Sequence, residues 1–127
     1  MDDLAAMDNK SVGERGEAIA AAYLKGQKFT IVEKNYRCKS GEIDIIAKDG
    51  KTFVFVEVKT RRTLSFGPPQ QALTSFKQRQ ISKAALTWLA DKKLFGASAR
   101  FDVIAILLPD HALPQIDHIR NAFDLAF

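Results

Sequence analysis

The sequence predicts a single α/β domain whose elements run in the order α-β-β-β-α-β-β. Three observations carry this. Asp49-Gly50 stands between two apolar runs, and Asp-Gly is the strongest short hairpin signal because both residues tolerate positive φ. Ile81, Ala84, Ala85, Trp88 and Leu89 repeat at i, i+3, i+4, i+7 and i+8, the period of an amphipathic helix. Phe101 to Leu108 is a continuous apolar run, as in a strand covered on both faces. A chain of 127 residues fits one domain and can bury roughly two-thirds of its unfolded surface. Residues 1–12 read as a tail and helix cap, residues 13–127 as the domain.

Taken in order, Ser11-Val12-Gly13-Glu14 fits a capping box, in which Ser serves the backbone donor of Glu14 and Glu reaches back. A helix then runs to about Lys25, with Ile19, Ala20, Tyr23 and Leu24 as its apolar stripe. Glu17 falls on the edge of that stripe, where its carboxylate can turn inward or stay in water. Phe29 to Cys38 reads as a strand, the hairpin supplies two more, and Thr60 to Pro69 is a basic loop bounded by Gly and Pro. Lys77, Arg79 and Lys83 occupy other faces of the second helix, and Trp88 belongs to the core. After Phe101–Leu108, Pro109-Asp110 turns the chain into a short strand near Gln115 to Ile119.

The hairpin carries the chemistry. Gly41-Glu42-Ile43-Asp44-Ile45-Ile46-Ala47 and Phe53-Val54-Phe55-Val56-Glu57-Val58-Lys59 place ionisable groups inside apolar strands. A buried carboxylate costs several kcal/mol unless it is paired or binds a cation. With Asp49-Gly50 at the tip, Lys48 faces Lys51, Ile46 faces Phe53, Asp44 faces Phe55 and Glu42 faces Glu57. Asp44, Glu57 and Lys59 then share one side of the sheet, with Asp44 and Glu57 as diagonal neighbours roughly 7–8 Å apart. Val54, Val56 and Val58 form the core on the other. A slip of one residue would scatter the acids onto opposite faces. Each has a structural alternative: a strand residue accepting backbone donors for Asp44, and a salt bridge at a strand end for Glu57 and Lys59. Glu42 is secondary, His118 reads as a structural imidazole, and Asp102 as a strand anchor held by Arg100 or a backbone donor.

Net charge is +4, distributed as −3 over residues 1–24, +5 over 25–62, +5 over 77–100 and −3 over 101–127. Basic charge therefore surrounds the acidic hairpin, which suits a polyanion such as nucleic acid. Cys38 is the only cysteine, so no intrachain disulfide or cysteine-based zinc site forms. The start Met1-Asp2-Asp3-Leu4 is acidic where a signal peptide is basic, and no apolar run approaches ~20 residues. The expectation is a soluble cytoplasmic protein without a membrane segment.

Gly16-Glu17-x-x-Ala20-Ala21-x-Tyr23-Leu24, Asn35-Tyr36-Arg37, Gly41-Glu42-Ile43-Asp44, Val56-Glu57-Val58-Lys59, Phe66-Gly67, Arg100-Phe101-Asp102-Val103 and Asn121-Ala122-Phe123 resemble, in that order, the YraN family of small bacterial proteins. The resemblance covers residues 13 to 123. That family is grouped with the PD-(D/E)xK nucleases by similarity to archaeal Holliday-junction resolvases. The resemblance implies a restriction-endonuclease-like core: a mixed β-sheet, an antiparallel meander continued by a crossover helix and a parallel strand, flanked by helices. It also implies metal-dependent hydrolysis of phosphodiester bonds in DNA, branched or otherwise structured. Asp44, Glu57 and Glu17 would hold Mg²⁺ or Mn²⁺, Lys59 would orient water or stabilise developing charge, and Arg61, Arg62, Lys77 and Arg37 would contact nucleic acid. By analogy with resolvases, a homodimer would make two symmetric cuts. The competing expectation is a nuclease-like module that binds nucleic acid or a protein partner without catalysis. Gln71 stands where the family commonly has Glu, and Lys28 where it has a helix-ending Gly whose role Gly26 could take.

Overall fold

The computed structural model describes residues 9–63 and 73–126. Helix α1 (Asn9–Gly26) precedes β1 (Thr30–Cys38), β2 (Gly41–Asp49) and β3 (Thr52–Arg61), and helix α2 (Ser75–Asp91) leads to β4 (Ala99–Leu107) and β5 (Gln115–Phe123). The five strands form one sheet in the order β1-β2-β3-β4-β5. β3 and β4 are parallel and the other neighbours antiparallel, as the order of elements implies. Alternation along β3 explains the layering. Val54, Val56 and Val58 join Ala20 and Leu24 of α1, while Phe53 and Phe55 join Ile81, Ala85 and Trp88 of α2. Both faces of the central strands are thus covered, and this is why β3 and β4 read as apolar runs interrupted by Glu57 and Asp102. No helix among the described residues is long and apolar enough to cross a membrane.

Five details differ from the sequence reading. Helix α1 is already underway at Asn9, so Ser11 lies within it rather than at its cap. The helix ends at Lys28, whose φ is 70°, and not through Gly26. Phe29 N–H donates to Leu24 O at 2.9 Å and Lys28 N–H to Lys25 O at 3.0 Å, the paired bonds of a Schellman end with Lys28 in the left-handed position. β3 continues through Thr60 and Arg61 because β4 pairs alongside as far as Leu107, and β5 extends to Phe123. The hairpin register is offset by two. Asp49 pairs with Thr52, Ile46 with Phe55 and Ile45 with Val56, leaving Gly50 and Lys51 at the tip. Phe66-Gly67, Gln71, most of the Thr60–Pro69 loop and the Met1 segment lie outside the described residues.

Candidate metal and nucleic-acid cleft

The β2–β3 ladder stops at Ile45–Val56 although both strands continue. Beyond it β2 stays with β1 and β3 with β4, so the strands part as a fork. Asp44 and Glu57 are the first residues past the split. Parity does not carry through this point, yet Asp44, Glu57 and Lys59 all line one cleft. Asp44 Oδ2 accepts a hydrogen bond from Val58 N–H at 2.8 Å, satisfying a donor that the interrupted ladder would leave unpaired. Ile43 packs on the α2 side and Ile45 on the α1 side, so β2 departs from simple alternation at Asp44.

Helix α1 closes the fork. A Cβ at Gly16 would collide with the Thr60 side chain, so only glycine lets the helix lie this close to β3. Glu17 follows and faces the same cleft as Asp44. Helical periodicity shows Glu17 at the stripe edge, but the close approach at Gly16 was not read. Glu17, Asp44, Glu57, Lys59, Arg61 and Arg62 line one cleft of about 680 Å³. Glu57 is 5% exposed. Its Oε1 lies 3.5 Å from Lys59 Nζ and 3.8 Å from Lys77 Nζ, the latter arriving from the first turn of α2.

Three carboxyls against two ammonium groups leave negative charge crowded and poorly solvated. Burial, and then the Asp44 charge, push Glu57 up to about 7, with Lys77 and Lys59 pulling the other way. Burial and Asp44 also push Glu17 up to about 7. Asp44 is raised by burial and held back by the Val58 N–H. All three are hard oxygen donors of the kind Mg²⁺ and Mn²⁺ take. As the side chains stand, no three His, Cys, Asp or Glu among the described residues are grouped to enclose a metal ion.

Other candidates fall elsewhere. Glu42 does not oppose Glu57; it pairs across β1–β2 with Arg37, whose Nε lies 3.5 Å away. Neither lines the cleft. Asp102 is fully buried and accepts from Arg100 Nε at 3.0 Å and Nη2 at 3.3 Å and from Asn121 N–H at 3.0 Å, with His118 Nε2 at 2.8 Å. His118 Nδ1 sits 3.1 Å from Tyr23 OH. Asp102 anchors its strand through Arg100 and a backbone donor, and His118 belongs to the same buried cluster. Their partnership was not legible, because it depends on a register shift in β4–β5 between Phe101 and Val103. Trp88 is core, and its Nε1–H donates to Glu33 at 3.2 Å.

The profile of the uncharacterised protein family UPF0102 matches residues 16–106. The chain belongs to the UPF0102 family. This is the YraN family that the ordered motifs resemble, and the matched span holds every cleft carboxylate together with Lys59, Arg61 and Arg62. A UPF0102 protein of Geotalea uraniireducens (strain Rf4) is 70% identical over 120 residues, 94% of each chain. One of Geobacter metallireducens is 60% identical over 121 residues, 95% of this chain and 98% of that one. A UPF0102 protein of Rhodococcus jostii (strain RHA1) is 46% identical over 115 residues, 91% of this chain and 98% of its own.

Proposed function

We propose that this UPF0102 protein is a metal-dependent nuclease of the PD-(D/E)xK type that hydrolyses phosphodiester bonds in branched or otherwise structured DNA. The observation that supports it most is the convergence of Asp44, Glu57, Glu17 and Lys59 on one cleft flanked by Arg61 and Arg62. Asp44 and Glu57, with Glu17, would hold Mg²⁺ or Mn²⁺, whose positive charge would relieve the crowding that raises their pKa values. When bound, such an ion polarises a phosphate and lowers the pKa of a ligated water. Lys59, in the same cleft as the two strand acids, supplies a fixed positive charge for the phosphorane. Arg61, Arg62 and Lys77, with Arg37 farther out, contact the backbone without reading sequence. The protein works in the cytoplasm, in keeping with one free cysteine, and pairs as a homodimer to cut two strands.

A second reading has its own support. Lys59 and Lys77 already pair with Glu57, as suits a module that binds nucleic acid without cutting. Cleavage of labelled linear, flapped and four-way-junction DNA with Mg²⁺ or Mn²⁺, against EDTA, separates the two. The control is Asp44→Asn, which keeps an oxygen for the Val58 N–H while removing the charge. If the wild type cuts no faster than Asp44→Asn, the nuclease reading fails and the binding reading replaces it.

A further inference from the structure

The first turn of α2 bears a group that the cleft chemistry leaves unused. Phe76 is 62% exposed, whereas Phe29, Phe53, Phe55 and Phe101 are buried. The Arg79 guanidinium lies over its ring, 6.0 Å from the centroid. The next residue, Lys77, reaches Glu57, so the first turn of α2 borders the acidic site. One turn later Gln80 lies against the start of β2, where a Cβ at Gly41 would meet Gln80 Cβ at 3.2 Å. Residues four apart share a helix face, so Phe76 looks toward the β1–β2 turn, where the Arg37 side chain is 76% exposed. From Thr74 to Ala90 every ionisable residue is basic.

This combination discriminates among ligands. Cations alone would serve duplex phosphates, but paired bases are stacked inside the helix and offer no face to a phenyl ring. An apolar protein surface would take Phe76 but not the Arg79 guanidinium over its ring, with Lys77 and Lys83 on the same helix. An unpaired nucleotide uses both, its base stacking on the ring and its phosphates meeting Lys77 and Arg79. We infer that Phe76 is a stacking platform for an unpaired base, so the substrate class of the cleft is DNA with a single-stranded arm or flap beside the bond to be cut. This rests on the nucleic-acid reading of the cleft.

The test is binding, measured by anisotropy in EDTA and in Ca²⁺, of a flapped DNA with 2-aminopurine in its unpaired arm and of a fully paired duplex of equal length. Wild type, Phe76→Ala and Phe76→Trp are compared, with melting curves to confirm folding. Phe76→Ala should lose about tenfold in affinity for the flap, the scale of one base–aromatic stack, and less than about twofold for the duplex. Wild type and Phe76→Trp should quench the 2-aminopurine and Phe76→Ala should not. Equal losses on both DNAs, or none on the flap, overturn the platform while sparing the cleft. A wild type that binds neither DNA overturns the nucleic-acid reading and the platform with it.

Discussion

Glu57→Gln isolates the electrostatic tension of the cleft. In the fold the Glu57 carboxyl is pushed from 4.5 up to about 7 by burial and by Asp44, after Lys77 and Lys59 have lowered it. The native state therefore holds a proton that the unfolded chain releases, and stability falls as pH rises from about 4.5 through 7. At about 1.4 kcal/mol per pH unit, the fall attributable to Glu57 is on the order of 3 kcal/mol. Gln has nearly the same shape and no charge, while Lys59 and Lys77 are open enough to turn toward water. Urea unfolding of both proteins between pH 4.5 and 8 measures the effect. The two should be nearly equal at pH 4.5, where Glu57 is protonated, and the variant should lead by ~2–3 kcal/mol at pH 8. Added Mg²⁺ or Mn²⁺ should raise wild-type stability at pH 8 and narrow that gap. A gap that does not change with pH refutes the electrostatic account; a gap that opens with pH but ignores both metals leaves the electrostatics intact and counts against the ion.

Asp102→Ala should cost about 3–5 kcal/mol in urea unfolding at pH 7, since it strips partners from His118, Arg100 and the Asn121 N–H at once; a loss under about 1 kcal/mol would contradict the burial argument. Because those partners lower its pKa, the Asp102 contribution is present above 3.8 and is lost as pH falls below that value. Lys28→Gly should stabilise by about 1 kcal/mol by relieving a left-handed residue, and Gly26→Ala should be neutral or stabilising; a destabilised Gly26→Ala would return the helix stop to Gly26. Lys59→Ala should retain DNA binding yet lose about 10²–10³ in cleavage rate, with partial recovery in Lys59→Arg; an unchanged rate would remove Lys59 from the chemistry. DNA affinity should fall steeply with salt, and replacing Arg61 and Arg62 by Ala should flatten the log–log slope by about two units at most, so a salt-independent interaction would exclude backbone contacts.

The elements were legible where local signals and burial agree. β3 and β4 are covered on both faces, α2 buries a full stripe, and Asp49-Gly50 marks where the hairpin reverses. The hairpin register was not, because a distant contact decides it. Arg100 lies 3.0 Å and Arg120 3.5 Å from Asp49, which holds that residue in the ladder rather than at the tip. Gly50, with φ 61°, then takes the first central position of the turn. The helix end fails as a reading for a related reason. Composition favours Gly26, yet Phe29 must reach the α1-side core beside Leu24, and that fixes the left-handed residue one position before it. In the cleft, residue types and spacing named the acids, but the fork that brings Glu17 to them depends on the helix lying against Thr60.

Asp44 shows why fold and site cannot be separated at this point of the sheet. Strands that part inside a protein leave backbone donors facing each other without partners, and each buried unsatisfied donor costs about 1–3 kcal/mol. The Asp44 carboxylate takes the Val58 N–H, so β2 can leave β3 without that penalty, and the opening is the space into which Glu17 reaches. The acid that lines the cleft also permits it. It follows that Asp44→Ala should unfold more easily as well as lose any metal response, whereas Asp44→Asn should lose the response alone. Two variants equally stable in urea would mean that the fork needs no acceptor from Asp44, and the coupling of strand parting to the acidic site would fall.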